Sequence, residues 1–150
     1  MPFSAVMNLA SLNGANGFRL DGGGVGERTG ISVAAAGDVN GDGFAVLIVG
    51  AFNANSGGGV GTGSSYVVFG SPTGLPPRLD LPALNGNNGF RLDGAGTFDQ
   101  SGASVASAGD VNGDGFADLI IGANSADPGG LLNAGSSYVV FGKASGWAPT

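Results

Sequence analysis

The stretch Asp110-Val-Asn112-Gly-Asp114-Gly115-Phe116-Ala-Asp118 places oxygen-bearing side chains at positions 1, 3, 5 and 9 of a short loop. That is the chemistry of a hard-cation site, because Ca²⁺ takes about 6–8 oxygen ligands. Alternation brings Asp110, Asn112 and Asp114 to one side of a curled loop, and Gly115 permits the sharp turn that wraps them. The main-chain carbonyl of Phe116 at position 7 can add an oxygen, and Asp118 can close the shell. A helix-flanked calcium loop would demand Glu at position 12. Ile121 stands there and the flanks read as strands, so that helical module is rejected. A second loop matches at Asp38, Asn40, Asp42 and Phe44, but its position 9 is Val46. Without that carboxylate, weaker calcium binding, or a water in place of the acid, is expected there. The alternative for both loops is an Asn-Gly hairpin turn whose acids are merely solvated.

Little else in the chain could do chemistry. It has no His, no Cys and no nucleophile motif, and Lys143, Tyr66 and Tyr138 are the only, poor, candidates for a base. The chain is therefore read as not an enzyme. Net charge is −6, and Arg19, Arg28, Arg78, Arg91 and Lys143 are scattered, so the basic patch of a nucleic-acid binder is missing. Nothing near the first residues reads as a signal peptide. The longest apolar stretch, residues 44–52, is about half of a membrane span, so no membrane insertion is expected.

The elements that must hold these loops are legible from a repeat. Gly plus Pro make up about a quarter of the chain, which without periodicity would suggest low complexity. Here a period exists. Residues 13–70 and 85–142 align at an offset of 72 without a gap, and 39 of 58 positions are identical, which makes chance similarity negligible. Trp147 falls on Leu75 and Phe3 in the same register. Val, Ile, Leu, Phe and Ala occur in short runs cut by Gly, Asn, Asp and Ser, the pattern of strands and tight turns. The first repeat, about 13–84, predicts strands over 31–36, 45–51, 64–69 and 89–92. The second, about 85–150, predicts 103–108, 117–123 and 136–141, with no fourth segment. A spare copy of that fourth segment lies at 17–20, within a strand predicted over 16–21. The reading is all-β, with four antiparallel strands per repeat, the layout of a propeller blade. The small residues of 32–36 and 104–108 suit the innermost strand, though any Ala-rich strand buried between sheets would look alike.

The loops, their flanks and the repeat together resemble the FG-GAP repeats of integrin α-subunit propellers and of bacterial surface proteins. The matching strings are residues 102–106, 109–123 and 135–142, recurring within 30–51 and 63–70. The resemblance implies calcium in the hairpin loop between the first two strands of a blade. Carried over residue by residue, the ligands are Asp110, Asn112, Asp114, the Phe116 carbonyl and Asp118, then Asp38, Asn40, Asp42 and Phe44. It also implies adhesion, or protein or glycan recognition, at an extracellular or cell-surface location. The family's usual Pro after Gly-Ala is replaced by Phe52 and Asn124, which should loosen loops 53–62 and 125–134. Some polysaccharide lyases resemble this family in fold, so a calcium-assisted lyase is the remaining enzyme alternative.

A propeller needs roughly 4–8 blades to close its ring, and this chain encodes two. The strand at 16–21 is expected to complete the second blade of a neighbouring copy. A head-to-tail contact of that kind closes into a ring if the rotation permits. Three chains would give six blades, a homotrimer, and four would give eight, a homotetramer. The competing reading is an engineered or excised propeller piece with no ligand of its own.

Overall fold

The structure is a computed structural model, and it describes residues 6–147. Phe3, one of the positions aligned with Trp147, lies outside the described residues. The chain is all-β, with no α-helix among the described residues and three short 3-10 turns.

Among the described residues nine strands follow in order: β1 (Arg19–Asp21), β2 (Ser32–Gly37), β3 (Val46–Ala51), β4 (Ser64–Val68), β5 (Arg78–Asp80), β6 (Gly89–Asp93), β7 (Ser101–Gly109), β8 (Asp118–Ala123) and β9 (Ser136–Val140). The first blade is the antiparallel sheet β2-β3-β4-β6, and the second is β7-β8-β9. β3 and β4 are buried along nearly their whole length, which is why they read as unbroken runs of Val, Leu, Ile and Tyr. β2 is made mostly of small residues, and its exposed positions alternate with half-buried ones and the buried Ala36.

The two sheets pack face to face around Ile48, Val67, Phe69 and Phe90 of the first blade with Leu119 and Ile121 of the second. They approach so closely that a Cβ on Gly50 would run into the main-chain oxygen of Gly102. On the far face of the first blade, Val49, Tyr66 and Val68 are covered by Leu81 and Leu84, with Leu20 and Leu79 beside them. Trp147 stacks on Phe90, with ring centroids 4.1 Å apart and planes 7° from parallel, and so seals the rim of the inter-blade core.

β1 and β5 form a separate parallel pair in the register Arg19↔Arg78, Leu20↔Leu79, Asp21↔Asp80. Neither β5 nor this pairing is anticipated by the repeat pattern. Asp21 accepts from both Arg19 and Arg78, at 2.8 and 2.7 Å. These ion pairs are largely solvent-exposed and so worth only about 0–1 kcal/mol each.

In each blade the ladder between the first two strands slips just before the acidic loop, between Ala35 and Gly37 and between Ser107 and Gly109. Gly37 and Gly109 take positive φ, 77° and 73°, where a side chain would be strained. This bulge bends the strand and turns Asp38 and Asp110 into their loops.

Candidate calcium site

Each acidic loop is closed by its first residue. Asp110 accepts hydrogen bonds from the amides of Gly113, Asp114 and Gly115 at 2.7, 3.0 and 2.9 Å. Asp38 does the same with Gly41, Asp42 and Gly43 at 2.7, 3.1 and 2.9 Å. Asn112 donates to Asp114, and Asn40 to Asp42, both at 2.8 Å. Asp114 and Asp42 in turn accept the amides of Phe116 and Phe44. The tightness of the loop is thus a property of its own side chains, which is why the string of residues is enough to specify it.

Asp118 occupies a different place from the other acids. It is fully buried, and its carboxylate accepts the amide of Val111 at 2.7 Å and that of Gly142 at 2.9 Å. It therefore fastens the start of the loop to Gly142, two residues past β9. The sequence marks Asp118 as an oxygen donor but carries no sign of this clamp, since Gly142 lies 24 residues away. Its counterpart Val46 is equally buried and joins the inter-blade core.

The two loops are neighbours across the blade junction. Ala117 donates its amide to the Asp38 carbonyl at 3.0 Å, and Lys143 to that of Val39 at 2.9 Å. A Cβ on Gly41 would lie 2.5 Å from the Phe116 ring, so loop 38–46 lies against the aromatic residue of loop 110–118.

Among the described residues no group of three or more acids is placed to hold a metal ion by itself. The donor set nevertheless fits calcium, being all oxygen and rich in carboxylate. In the first loop Asn40 Oδ1 is buried without a hydrogen-bond partner. An oxygen in that condition is suited to a cation.

The candidate bases are not brought together. Tyr66 is buried in the first blade beside Arg91, and burial, then the Glu27 charge, pushes its phenol above the ordinary value. Lys143 donates to the Gly146 carbonyl and lies over the Trp147 ring, while Tyr138 is on β9.

The FG-GAP repeat family matches residues 101–140, the span of the second blade and its acidic loop. Residues 101–140 carry an FG-GAP repeat. The chain's second copy of the pattern, at 30–51 and 63–70, builds the first blade on the same strands. Relatives include the phosphatidylinositol-glycan-specific phospholipases D of Rattus norvegicus and Homo sapiens. The rat protein is 37% identical over 117 residues, which are 76% of this chain and 13% of that protein. The human protein is 36% identical over 112 residues, 73% of this chain and 13% of that protein. The chain thus spans about an eighth of these relatives' length. None of the helices among its described residues is long and apolar enough to cross a membrane.

Proposed function

We propose that the chain is a non-catalytic, calcium-binding module of the integrin-like FG-GAP type, acting as a binding or adhesion scaffold at an extracellular or cell-surface location. The observation that carries this reading is the pair of self-closed Asp-Asn-Asp loops, side by side at the blade junction, one with the orphaned Asn40 oxygen. Asp110, Asn112, Asp114 and the Phe116 carbonyl hold one ion. Asp118 lies at the base of that loop and keeps spare lone pairs for the ion, because each carboxylate oxygen can accept twice. Asp38, Asn40, Asp42 and the Phe44 carbonyl hold the other more weakly, because Val46 brings no charge. Calcium there draws together loops that belong to different blades, so occupancy stiffens the junction rather than supplying a reagent. The relatives' phospholipase chemistry is not assigned to this module, since the similarity lies in a small part of their length.

Calorimetric titration of the whole chain with Ca²⁺ tests this. Two sites of unequal affinity are expected. Asp114→Asn should weaken the tighter one about tenfold or more, and Asp42→Asn should affect only the weaker. No binding heat up to about 10⁻³ M, the weak end for calcium modules, would sink the reading.

A further inference from the structure

The junction between the two blades is a template, because both of its halves recur elsewhere on the molecule. The half supplied by the first blade includes Val39, Val67 and Phe69, which are 0%, 0% and 4% exposed. Their counterparts 72 residues later, Val111, Val139 and Phe141, are 60%, 46% and 52% exposed. The half supplied by the second blade includes Leu119, within that core, and Val105, packed against it. Its counterpart on the first blade is an open apolar groove lined by Phe18, Leu20, Val33 and Leu47. One outer face of the chain is therefore the mate of the other.

The strand edges match as well. β4 and β6 exchange main-chain bonds through alternate residues, as Gly94 N–H to the Gly63 carbonyl (2.8 Å) and Phe69 N–H to that of Asn88 (3.0 Å) show. By that alternation the main-chain groups of Phe90 and Leu92 face β4, while those of Arg91 face outward. Residues 17–21 repeat the sequence of β6, and residues 136–140 repeat that of β4. Arg19 donates its amide to the Pro77 carbonyl at 2.9 Å, so β5 lies on the outward edge of β1. The inward edge, carrying the Phe18 and Leu20 main-chain groups, has no strand beside it among the described residues. The same holds for the edge of β9 that carries Ser137 and Val139.

We propose that Gly17–Asp21 of one copy completes the second blade of another copy, pairing antiparallel with β9 in the register Gly17↔Val140, Phe18↔Val139, Arg19↔Tyr138, Leu20↔Ser137 and Asp21↔Ser136. The register is the observed β4–β6 pairing shifted by the repeat. Phe18 then packs on Phe141 as Phe90 packs on Phe69, whose ring centroids are 5.8 Å apart. The Ala45 amide of the donor copy bonds the Asp110 carbonyl of the acceptor, as Ala117 bonds Asp38 within the chain. β1 need not leave β5 to do this, since the two pairings use opposite edges. The contact is head to tail, so copies add in one direction until the ring closes. Closure within roughly 4–8 blades requires two to four copies of this 150-residue stretch, and rings of three and four copies are the ones we expect. The contact does not depend on whether calcium occupies the loops, although the Asp110 loop lies at its centre.

Light scattering on the 150-residue chain and two variants tests it. The wild type is expected at three or four times 14.4 kDa. Leu20→Pro removes a donor amide from the inward edge of β1, and Val139→Pro removes one from the open edge of β9. Each variant should be monomeric alone. A 1:1 mixture should form a dimer and nothing larger, because only the intact β9 of one and the intact β1 of the other can pair. An unfolded variant cannot complement in this way, so the mixture separates lost folding from lost pairing. A monomeric wild type, or variants that assemble as the wild type does, would overturn the proposal, and so would a mixture that stays monomeric although both variants keep the native circular dichroism spectrum.

Discussion

Replacing Asp118 by Val converts the second loop to the composition of the first and separates two roles that one carboxylate can play. In the structure Asp118 accepts the Val111 amide at 2.7 Å and the Gly142 amide at 2.9 Å from a fully buried position. Gly142 is buried, so its amide loses its partner with no solvent to replace it, at about 1–3 kcal/mol. Val111 is exposed, so water recovers most of its bond and the loss is about 0–1 kcal/mol. An apolar side chain in place of a buried carboxylate returns about 1 kcal/mol. The terms sum to a destabilisation of about 0–3 kcal/mol, centred on ~1.5, that needs no calcium. Urea unfolding at one fixed protein concentration, in EDTA and again in Ca²⁺, measures it; fixing the concentration matters because assembly would shift the midpoint by mass action. The clamp reading expects Asp118→Val to lose this amount already in EDTA, and more in Ca²⁺. Equal midpoints for variant and wild type in EDTA, with a difference only in Ca²⁺, would refute it and leave Asp118 as a ligand alone.

Two further outcomes are expected. Gly50→Ala drives a methyl into the Gly102 main-chain oxygen across the blade junction and should cost about 1–3 kcal/mol. Gly122→Ala meets only the rotatable Ser104 hydroxyl and should leave the monomer nearly as stable while lowering the mass seen by light scattering; the same cost at both positions would argue against the repeated junction. At alkaline pH, Tyr66 should hold its proton above its ordinary value of 10.0, because burial disfavours the phenolate. Its contribution to stability is complete below pH 10 and is lost as pH climbs through the raised folded value. Tyrosinate absorbance in a Tyr138→Phe background checks this, and ionisation of Tyr66 below pH 10 in the folded chain would contradict it.

The blade strands and the acidic loops were legible in the sequence because both are local. Ser64–Val68 and Val46–Ala51 are β-favouring runs lying between Gly63 and Gly70 and between Gly43 and Asn53, and the repeat at 72 shows each pattern twice. The loop Asp110 to Asp118 folds on itself through bonds spanning two to five residues, so its shape follows from residue order. What the tertiary structure decided was every relation across distance. β5 is three residues with no periodicity, and only the arrival of β1 from 59 residues earlier makes it a strand. Asp118 reads as a ligand from its spacing. Its burial and its hold on Gly142 arise only when β8 and β9 lie side by side. Val139 and Val67 have the same neighbours in sequence, yet one is exposed and the other buried. Sequence sets which side chains a strand offers, whereas burial depends on whether a second sheet is there to meet them.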